Sequence, residues 1–390
     1  MKKRIKEQGI IFYSVAKWVF LSVIVGILVG AVVALFLKSL NAGISFAGKF
    51  QYYFLFLPFV LFFAALLTHY AFPSADACKT DKVIEYLHNL KDISFASAIK
   101  SFFLPLLTIS GGGSAGKEAP AADVGAGVGM LLGKILRLDA YDRKKLAICG
   151  ISAGFASVFG TPIAGALFGV EVLFVGNILY DVMLPSFISG IISYNVCSAL
   201  GIRYFHHSLT SSLNFSAVFF YQIILAGIFF GLCAFLMIEI LNIGKKLSER
   251  IKVWQPFKGL IGGVILIVIA WLFSADYLGL GLKTIETSLN GQTLSWYAFI
   301  LKSVTTSITL NFGGSGGIVT PIFFVGSSAG NIFARVLRLD IALFSALGFV
   351  GLLAGAANTP IAASIMAIEL FGPQVAPYAA LVCVISFLMT

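Results

Sequence analysis

A glycine-rich stretch followed by Lys and Glu is the part of this 390-residue sequence best suited to chemistry. Residues 109–120 read ISGGGSAGKEAP, and Gly111 to Lys117 have the phosphate-binding spacing G-x-x-x-x-G-K. A nucleotide-binding loop needs a Ser or Thr after this lysine to bind Mg²⁺, whereas this chain has Glu118. Because a carboxylate would repel phosphates, the sequence disfavours a nucleotide-driven enzyme and a nucleotide partner.

The surrounding composition is that of an integral membrane protein. Apolar residues make up 59% of the chain, charged residues only 11%, and the mean hydropathy is +0.97. Runs close to the roughly 20 residues that a spanning helix needs occur at 11–37, 52–71, 218–241 and 259–273. Shorter apolar runs, bounded or interrupted by Gly or Pro, occur at 102–109, 121–132, 321–332 and 360–370. Broken helices at membrane depth are tolerated only where they face protein or a watery cavity.

The formal net charge of +10 is concentrated outside the apolar runs. Residues 1–6, 137–145 and 245–252 carry four basic residues each. The positive-inside rule predicts that these clusters, and with them the N-terminus, face the cytoplasm. No basic stretch is interleaved with stacking aromatic residues, so no nucleic-acid partner is expected. The five cysteines and four histidines lack metal-ligand spacing, so neither a metal nor a cofactor is expected.

A repeat at an offset of 201 residues is the strongest internal pattern. Residues 113–139 match residues 314–340 at 11 of 27 positions, including a proline, several glycines and the common ending Leu-Arg-Leu-Asp. The match continues through Gly150/Gly351 and Gly154/Gly355 and, after a three-residue slip, through 161–171 and 359–369.

The repeat predicts one membrane domain built from two halves. The first half comprises residues 10–202 and the second residues 215–390, with a basic N-terminus at 1–9 and a polar linker at 203–214. Repeated, broken helices indicate a site near the midplane where half-helix ends converge. The repeat by itself leaves open whether the halves are parallel or inverted.

Four prolines mark helix starts that could hold an anion. Pro120, Pro162, Pro321 and Pro360 each follow Ala or Thr, and a proline in the first helical turn costs no hydrogen bond. The start of a helix offers unpaired N–H groups and a partial positive charge. Each predicted start is therefore a candidate anion site made of backbone.

Glu118 lies two residues before one of these prolines. An ionised carboxylate there can occupy the anion site in place of a free anion, and can leave when protonated. The alternative is a glutamate that only caps its helix. Its repeat equivalent is Val319, and capping alone does not explain Glu in one half and Val in the other.

These motifs resemble those of the CLC family of anion channels and anion/proton antiporters. GKEAP (116–120) is similar to the family's G-[KR]-E-G-P, with Ala119 in place of the usual Gly. GGIVTP (316–321) is similar to G-x-F-x-P, and GFASVFGTPIAGALFGVE (154–171) is similar to a proline-containing helix followed by an acidic pair. The resemblance covers residues 11–390.

The resemblance implies an all-α membrane protein, an inverted-repeat bundle with re-entrant and broken helices, usually a homodimer with one pathway per subunit. It implies that Glu118 gates the anion path and transfers the proton. It places the family's anion-coordinating tyrosine beyond Thr390. The residues that it implies for substrate binding are Gly116, Lys117, Gly317, Ile318, Val319, Thr320 and Lys79.

Departures from the chloride-handling pattern favour fluoride. Lys79 stands where chloride-handling members have the serine of G-S-G-I-P, and Val319 replaces the phenylalanine of G-x-F-x-P. Thr320 adds a hydroxyl donor, although it is also an ordinary residue for a helix start. Val172 follows Glu171 where many chloride/proton exchangers have a second glutamate. The pattern resembles the fluoride/proton antiporter branch; a chloride/proton exchanger or a passive anion channel is the alternative.

Overall fold

The computed structural model describes residues 2–71, 94–173, 179–204, 206–209 and 216–390. Within these residues the chain is helical, with no strand beyond one isolated bridge, which confirms the predicted all-α class. The first half contains α1 (Lys2–Ala47), α2 (Leu57–Tyr70), α3 (Phe95–Ser110), α4 (Glu118–Ile135), α5 (Ala140–Phe159), α6 (Pro162–Glu171) and α7 (Tyr180–Ala199). The second contains α8 (Ala217–Arg250), α9 (Gln255–Leu272), α10 (Leu282–Leu289), α11 (Ala298–Asn311), α12 (Val319–Leu337), α13 (Ile341–Ala357), α14 (Pro360–Phe371) and α15 (Ala376–Leu388). Single 3-10 turns occur at Tyr53–Phe56, Ala275–Tyr277 and Pro373–Val375.

Helices of two lengths build the bundle. In the described part of the chain, five segments are long and apolar enough to cross a membrane: Phe12–Ala47, Tyr53–Tyr70, Tyr180–Ala199, Ala217–Arg250 and Gln255–Leu272. Shorter apolar helices, such as α6 with 10 residues and α14 with 12, lie among them. Helix α1 runs without a break through residues 9 and 10, where the sequence suggested a boundary.

The two halves are inverted relative to each other, a point that the repeat alone left open. Gly116 and its repeat equivalent Gly317 form an antiparallel bridge. Helices α6 and α14, which are also equivalent, each place a glutamate of their last turn against the first turn of the other. Both halves share one apolar core, in which the rings of Phe159 and Phe323 lie 5.7 Å apart.

Glycines allow equivalent helix pairs to cross at backbone contact. A Cβ on Gly125 of α4 would collide with the carbonyl oxygen of Gly150 on α5, and Gly326 has the same relation to Gly348. The pairing of Gly150 with Gly351 in the sequence alignment was therefore wrong by three residues. Helix α13 has 17 residues where α5 has 20, so the slip lies early in this helix and not after it.

Two glutamates clamp the halves together. Glu171, at the end of α6, accepts two backbone N–H groups from the start of α14, and Glu369 of α14 does the same at the start of α6. The four N···O distances are 3.0 Å (Ile361) and 2.8 Å (Ala362) to Glu171, and 3.0 Å (Ile163) and 2.8 Å (Ala164) to Glu369. Each carboxylate thus lies at the positive end of a helix dipole from the other half.

Removing one clamp charge is expected to lower stability without affecting the site. Glu369→Gln keeps one acceptor oxygen but places an amide N–H₂ against a backbone donor, so a loss of about 1 kcal/mol is expected. Thermal unfolding in detergent measures this loss. Glu249→Gln, which changes an exposed carboxylate on α8, is the control. Equal melting temperatures for the two variants would contradict the clamp.

Candidate functional site

Two glycine-containing loops meet at the centre of the bundle, just before α4 and α12. The N–H of Gly116 donates to the carbonyl oxygen of Gly317 at 2.6 Å, and the N–H of Gly317 donates to that of Gly116 at 2.7 Å. These two hydrogen bonds pair the N–H and carbonyl groups of both glycines. They also hold the starts of α4 and α12, which belong to different halves, beside each other. The GKEAP and GGIVTP motifs are thereby brought together.

The carboxylate of Glu118 crosses from the start of α4 to the start of α12. The Thr320 hydroxyl lies 2.6 Å and 2.7 Å from its two oxygens, and the Thr320 N–H donates to Oε2 at 3.1 Å. Both side chains are buried, with exposed fractions of 3% for Glu118 and 1% for Thr320. The side chain of Glu118 thus occupies the N-terminal end of α12, where backbone N–H groups and the helix dipole favour an anionic group.

The absence of a side chain at Gly116 makes room for this carboxylate. A Cβ there would lie 2.7 Å from Glu118 Oε2 and 2.9 Å from the Thr320 nitrogen. Gly317 similarly accommodates the methyl group of Ala119, which would lie 2.8 Å from a Cβ at Gly317. The replacement of the family's usual glycine at position 119 is therefore compatible with close packing of the two loops.

Backbone donors remain free around the carboxylate. Among the described residues, no backbone acceptor pairs with the N–H groups of Glu118 and Ala119 at the start of α4, nor with that of Val319 at the start of α12. The backbone therefore supplies donors from two helices whose positive ends converge. This arrangement suits a small anion that must replace its hydration shell.

A symmetric pair of Thr–Ser contacts supports the two loops. The N–H of Ser114 donates to Thr309 Oγ1 at 3.0 Å, and the N–H of Ser315 donates to Thr108 Oγ1 at the same distance. These residues are equivalent at the 201-residue offset. No motif identified these residues, although aligned hydroxyl residues flank both glycine loops in the sequence.

Lys302 is a second group that the sequence analysis missed. Its side chain is fully buried in α11, and its Nζ donates to the carbonyl oxygens of Gly279 at 2.7 Å and Tyr277 at 3.2 Å. Within the described residues, no carboxylate lies within ion-pair distance of Nζ. The Nζ atom lies 5.2 Å from the ring centroid of Phe324, one helical turn along α12 from Thr320. An ionisable residue inside a membrane bundle usually has a function.

The other predicted anion ligands divide into three groups. Ile318 is the N-cap residue of α12 and Val319 its first, buried residue. Lys117 is the N-cap residue of α4, and its side chain is partly exposed and makes no hydrogen bond with the described residues. Lys79 lies outside the described residues.

Three of the four predicted helix starts hold a protein carboxylate: Glu118 lies at the start that contains Pro321, and two other glutamates lie at the remaining two. The starts at Pro162 and Pro360 are filled by the carboxylates of Glu369 and Glu171. The sequence offered no partner for these starts because the glutamates come from the opposite half. The starts before Pro120 and Pro321 form the central site.

The hydroxyl of Thr320 differs from those at the other helix starts. Thr161 and Thr359 are N-cap residues, and their buried hydroxyls find no hydrogen-bond partner in the described part of the chain. Thr320 lies inside the first turn, and its hydroxyl contacts Glu118. The interpretation of Thr320 as an ordinary helix-start residue does not account for this contact.

Inverted repeats of broken helices, with two positive helix ends meeting a buried carboxylate, define a membrane transporter or channel for anions and not an enzyme. A family profile described as "Voltage gated chloride channel" matches residues 59–390. The chain belongs to this CLC family.

Individual relatives cover most of the chain. A "Chloride/fluoride channel protein" of Pseudomonas syringae pv. tomato is 33% identical over 402 residues, which span 100% of this chain and 87% of that protein. The "Voltage-gated ClC-type chloride channel ClcB" of Escherichia coli is 28% identical over 80% of this chain and 74% of its own length. A solved structure of a CLC-type fluoride/proton antiporter has a TM-score of 0.91 and 29% identity, covering 97% of this chain and 96% of that chain. A slow cyanobacterial Cl⁻/H⁺ antiporter, at 18% identity and a TM-score of 0.82, shares the fold.

Proposed function

We propose that this protein is a secondary active fluoride/proton antiporter that exports fluoride, with Glu118 as its gating and proton-carrying residue. The contact between the Glu118 carboxylate and Thr320 is the observation that carries this proposal. The carboxylate lies on donors that fluoride would also use. Protein and substrate thus compete for one place.

Protonation of Glu118 is the step that resolves this competition. A protonated carboxyl group is a weaker acceptor than a carboxylate and is no longer attracted by the start of α12. Its departure frees the hydroxyl and N–H of Thr320 for an anion. When the proton is released on the other side, the carboxylate returns and displaces the anion, so the two movements are coupled in opposite directions.

Fluoride suits the donors around this site. It is small, strongly hydrated and a strong hydrogen-bond acceptor, so it requires several donors when its water is removed. Thr320 and the free N–H groups of Val319 and Ala119 supply such donors. The solved fluoride/proton antiporter, at 29% identity, supports the same substrate, and the 33% identical relative is named for both chloride and fluoride.

Selectivity is tested by anion efflux from proteoliposomes with fluoride, chloride and nitrate measured in parallel, together with a pH electrode. Fluoride efflux should exceed chloride efflux by at least about tenfold, a barrier difference of roughly 1.4 kcal/mol, and should be accompanied by proton uptake. Equal rates with proton movement would indicate a chloride/proton exchanger. Anion efflux without proton movement would indicate a passive channel.

The assembly and orientation belong to the same proposal. We infer a homodimer with one pathway per subunit and a cytoplasmic N-terminus in the bacterial inner membrane. The basic clusters at 137–145 and 245–252 support this orientation. Labelling of single cysteines placed in these clusters from either side of sealed vesicles tests it.

A further inference from the structure

The two helices that begin at the central site end in the same four-residue pattern. Helix α4 leads into KILR (134–137) and α12 into RVLR (335–338): a basic residue, two aliphatic residues and an arginine. The aliphatic residues are exposed, with Ile135 at 68% and Val336 at 74%. Because the halves are inverted and both helices start at the centre, the two ends lie at opposite faces of the bundle.

Both arginines have an unusual backbone conformation. The φ angles are 52° for Arg137 and 54° for Arg338, in the left-handed region that favours glycine or asparagine. A tight turn to the next helix, which begins after the N-cap residues Asp139 and Asp340, requires that conformation. It does not require an arginine side chain.

A hollow lies beside the second of these turns. It has a volume of about 240 Å³ and is lined by Trp296, Ile332, Arg335 and Val336. Two contacts fix its shape, because Asn331 and Arg335 of α12 hold the loop that contains Trp296. Asn331 Nδ2 donates to the Gln292 carbonyl oxygen at 2.8 Å, and Arg335 donates to that of Leu294 at 2.7 Å. Among the described residues no other hydrogen bond of this exposed arginine is seen, so its remaining N–H groups can bind a ligand.

Aromatic residues place the hollow at the edge of the membrane. Trp271, at the end of the candidate spanning helix α9, is 80% exposed, and Trp296 is 68% exposed. The rings of Phe273 and Tyr297 connect the two segments at a centroid distance of 5.5 Å. Exposed tryptophans at one level of a bundle are typical of the membrane–water interface.

We propose that this hollow binds the head group of an anionic phospholipid, represented experimentally by phosphatidylglycerol. The guanidinium groups of Arg335 and Arg338 would bind the phosphodiester, because planar arginine donors match phosphate oxygens. Ile332 and Val336 would contact the first methylene groups, and Trp296 the glycerol region. Free phosphate shares the head-group chemistry but makes no use of the apolar wall. The lipid is therefore the occupant that matches both the basic and the apolar residues of the lining.

Native mass spectrometry of the detergent-purified full chain, titrated with phosphatidylglycerol, phosphatidylcholine of the same acyl chains, or inorganic phosphate, tests this proposal. Phosphatidylglycerol should be retained preferentially and should raise the melting temperature. Replacing each arginine, in Arg335→Gln and Arg338→Gly, should weaken its binding about fivefold. Equal retention of both lipids, or full protection by inorganic phosphate, would overturn the proposal.

Comparing Arg338→Gly with one further variant, Arg137→Gly, separates lipid binding from folding. Arg338→Gly removes the side chain while relieving the left-handed backbone, so its melting temperature without lipid should match or exceed that of the native protein. The rise in its melting temperature on adding phosphatidylglycerol should nevertheless be smaller than in the native protein. Arg137→Gly makes the same backbone change at the opposite face, and its melting temperature should rise as much as that of the native protein. The assignment to this hollow is wrong if the lipid-induced rise in melting temperature falls equally in Arg137→Gly and Arg338→Gly, or if it falls in neither.

Discussion

Glu118→Gln is expected to abolish proton-coupled anion movement. Glutamine has nearly the same volume as glutamate, and its carbonyl oxygen can still accept one hydrogen bond from Thr320. It can neither ionise nor carry a proton, so its occupancy of the α12 start no longer depends on pH. Any anion flux that survives should be insensitive to a pH gradient. Proton and fluoride fluxes measured on the same proteoliposomes give the result directly.

Glu369→Gln is the matched control for this variant. Its carboxylate also lies at the start of a helix from the opposite half, but in the clamp and not at the central site. The proton-to-fluoride ratio should be that of the native protein, even though stability falls. If Glu118 only capped a helix, Glu118→Gln would also keep the native proton-to-fluoride ratio and lose only stability. Continued proton-coupled fluoride transport in Glu118→Gln would therefore eliminate the proposed exchange mechanism.

The repeat and the helix starts were predictable because they depend on local patterns. A proline in the first helical turn and a glycine at a close helix crossing can each be recognised from a short stretch of sequence, and both recur at a fixed offset. The helix-start prolines and the pairing of the GKEAP and GGIVTP motifs therefore follow from the sequence. The register of α13 could not be predicted from the sequence. Helix α13 is three residues shorter than α5, and the glycines of the two helices can be aligned plausibly with the gap placed either before or after them.

The direction of each side chain could not be predicted in the same way. Glu118 lies in the first turn of α4, which suggests capping of its own helix, yet its carboxylate bonds to Thr320 of α12. Glu171 and Glu369 likewise serve helices about 190 or more residues away in the chain. These contacts depend on the inverted arrangement of the halves. Lys302 was missed for a related reason, since its acceptors are carbonyl groups that no motif marks.

Thr320→Val is expected to weaken anion binding because it removes one donor while keeping the shape of the side chain. An unmet hydrogen-bonding requirement in a buried site costs about 1 to 3 kcal/mol, which corresponds to a roughly 5- to 150-fold higher Kd for fluoride. Isothermal titration of the purified protein with fluoride measures this change. Thr161→Val and Thr359→Val are the controls, because those hydroxyls have no partner among the described residues.

The size of the effect depends on Glu118, since carboxylate and anion use the same hydroxyl. In the native background the substitution weakens the competitor as well as the substrate, so part of the loss in fluoride affinity cancels. In the Glu118→Gln background the competitor is a weaker, neutral acceptor, and the loss should approach its full value. The difference between the two backgrounds is the coupling energy of the pair, which a double-mutant cycle isolates. A loss that is the same in both backgrounds would show that Glu118 and fluoride do not compete for Thr320. Affinities that match the Thr161→Val control would reduce Thr320 to a helix-start residue.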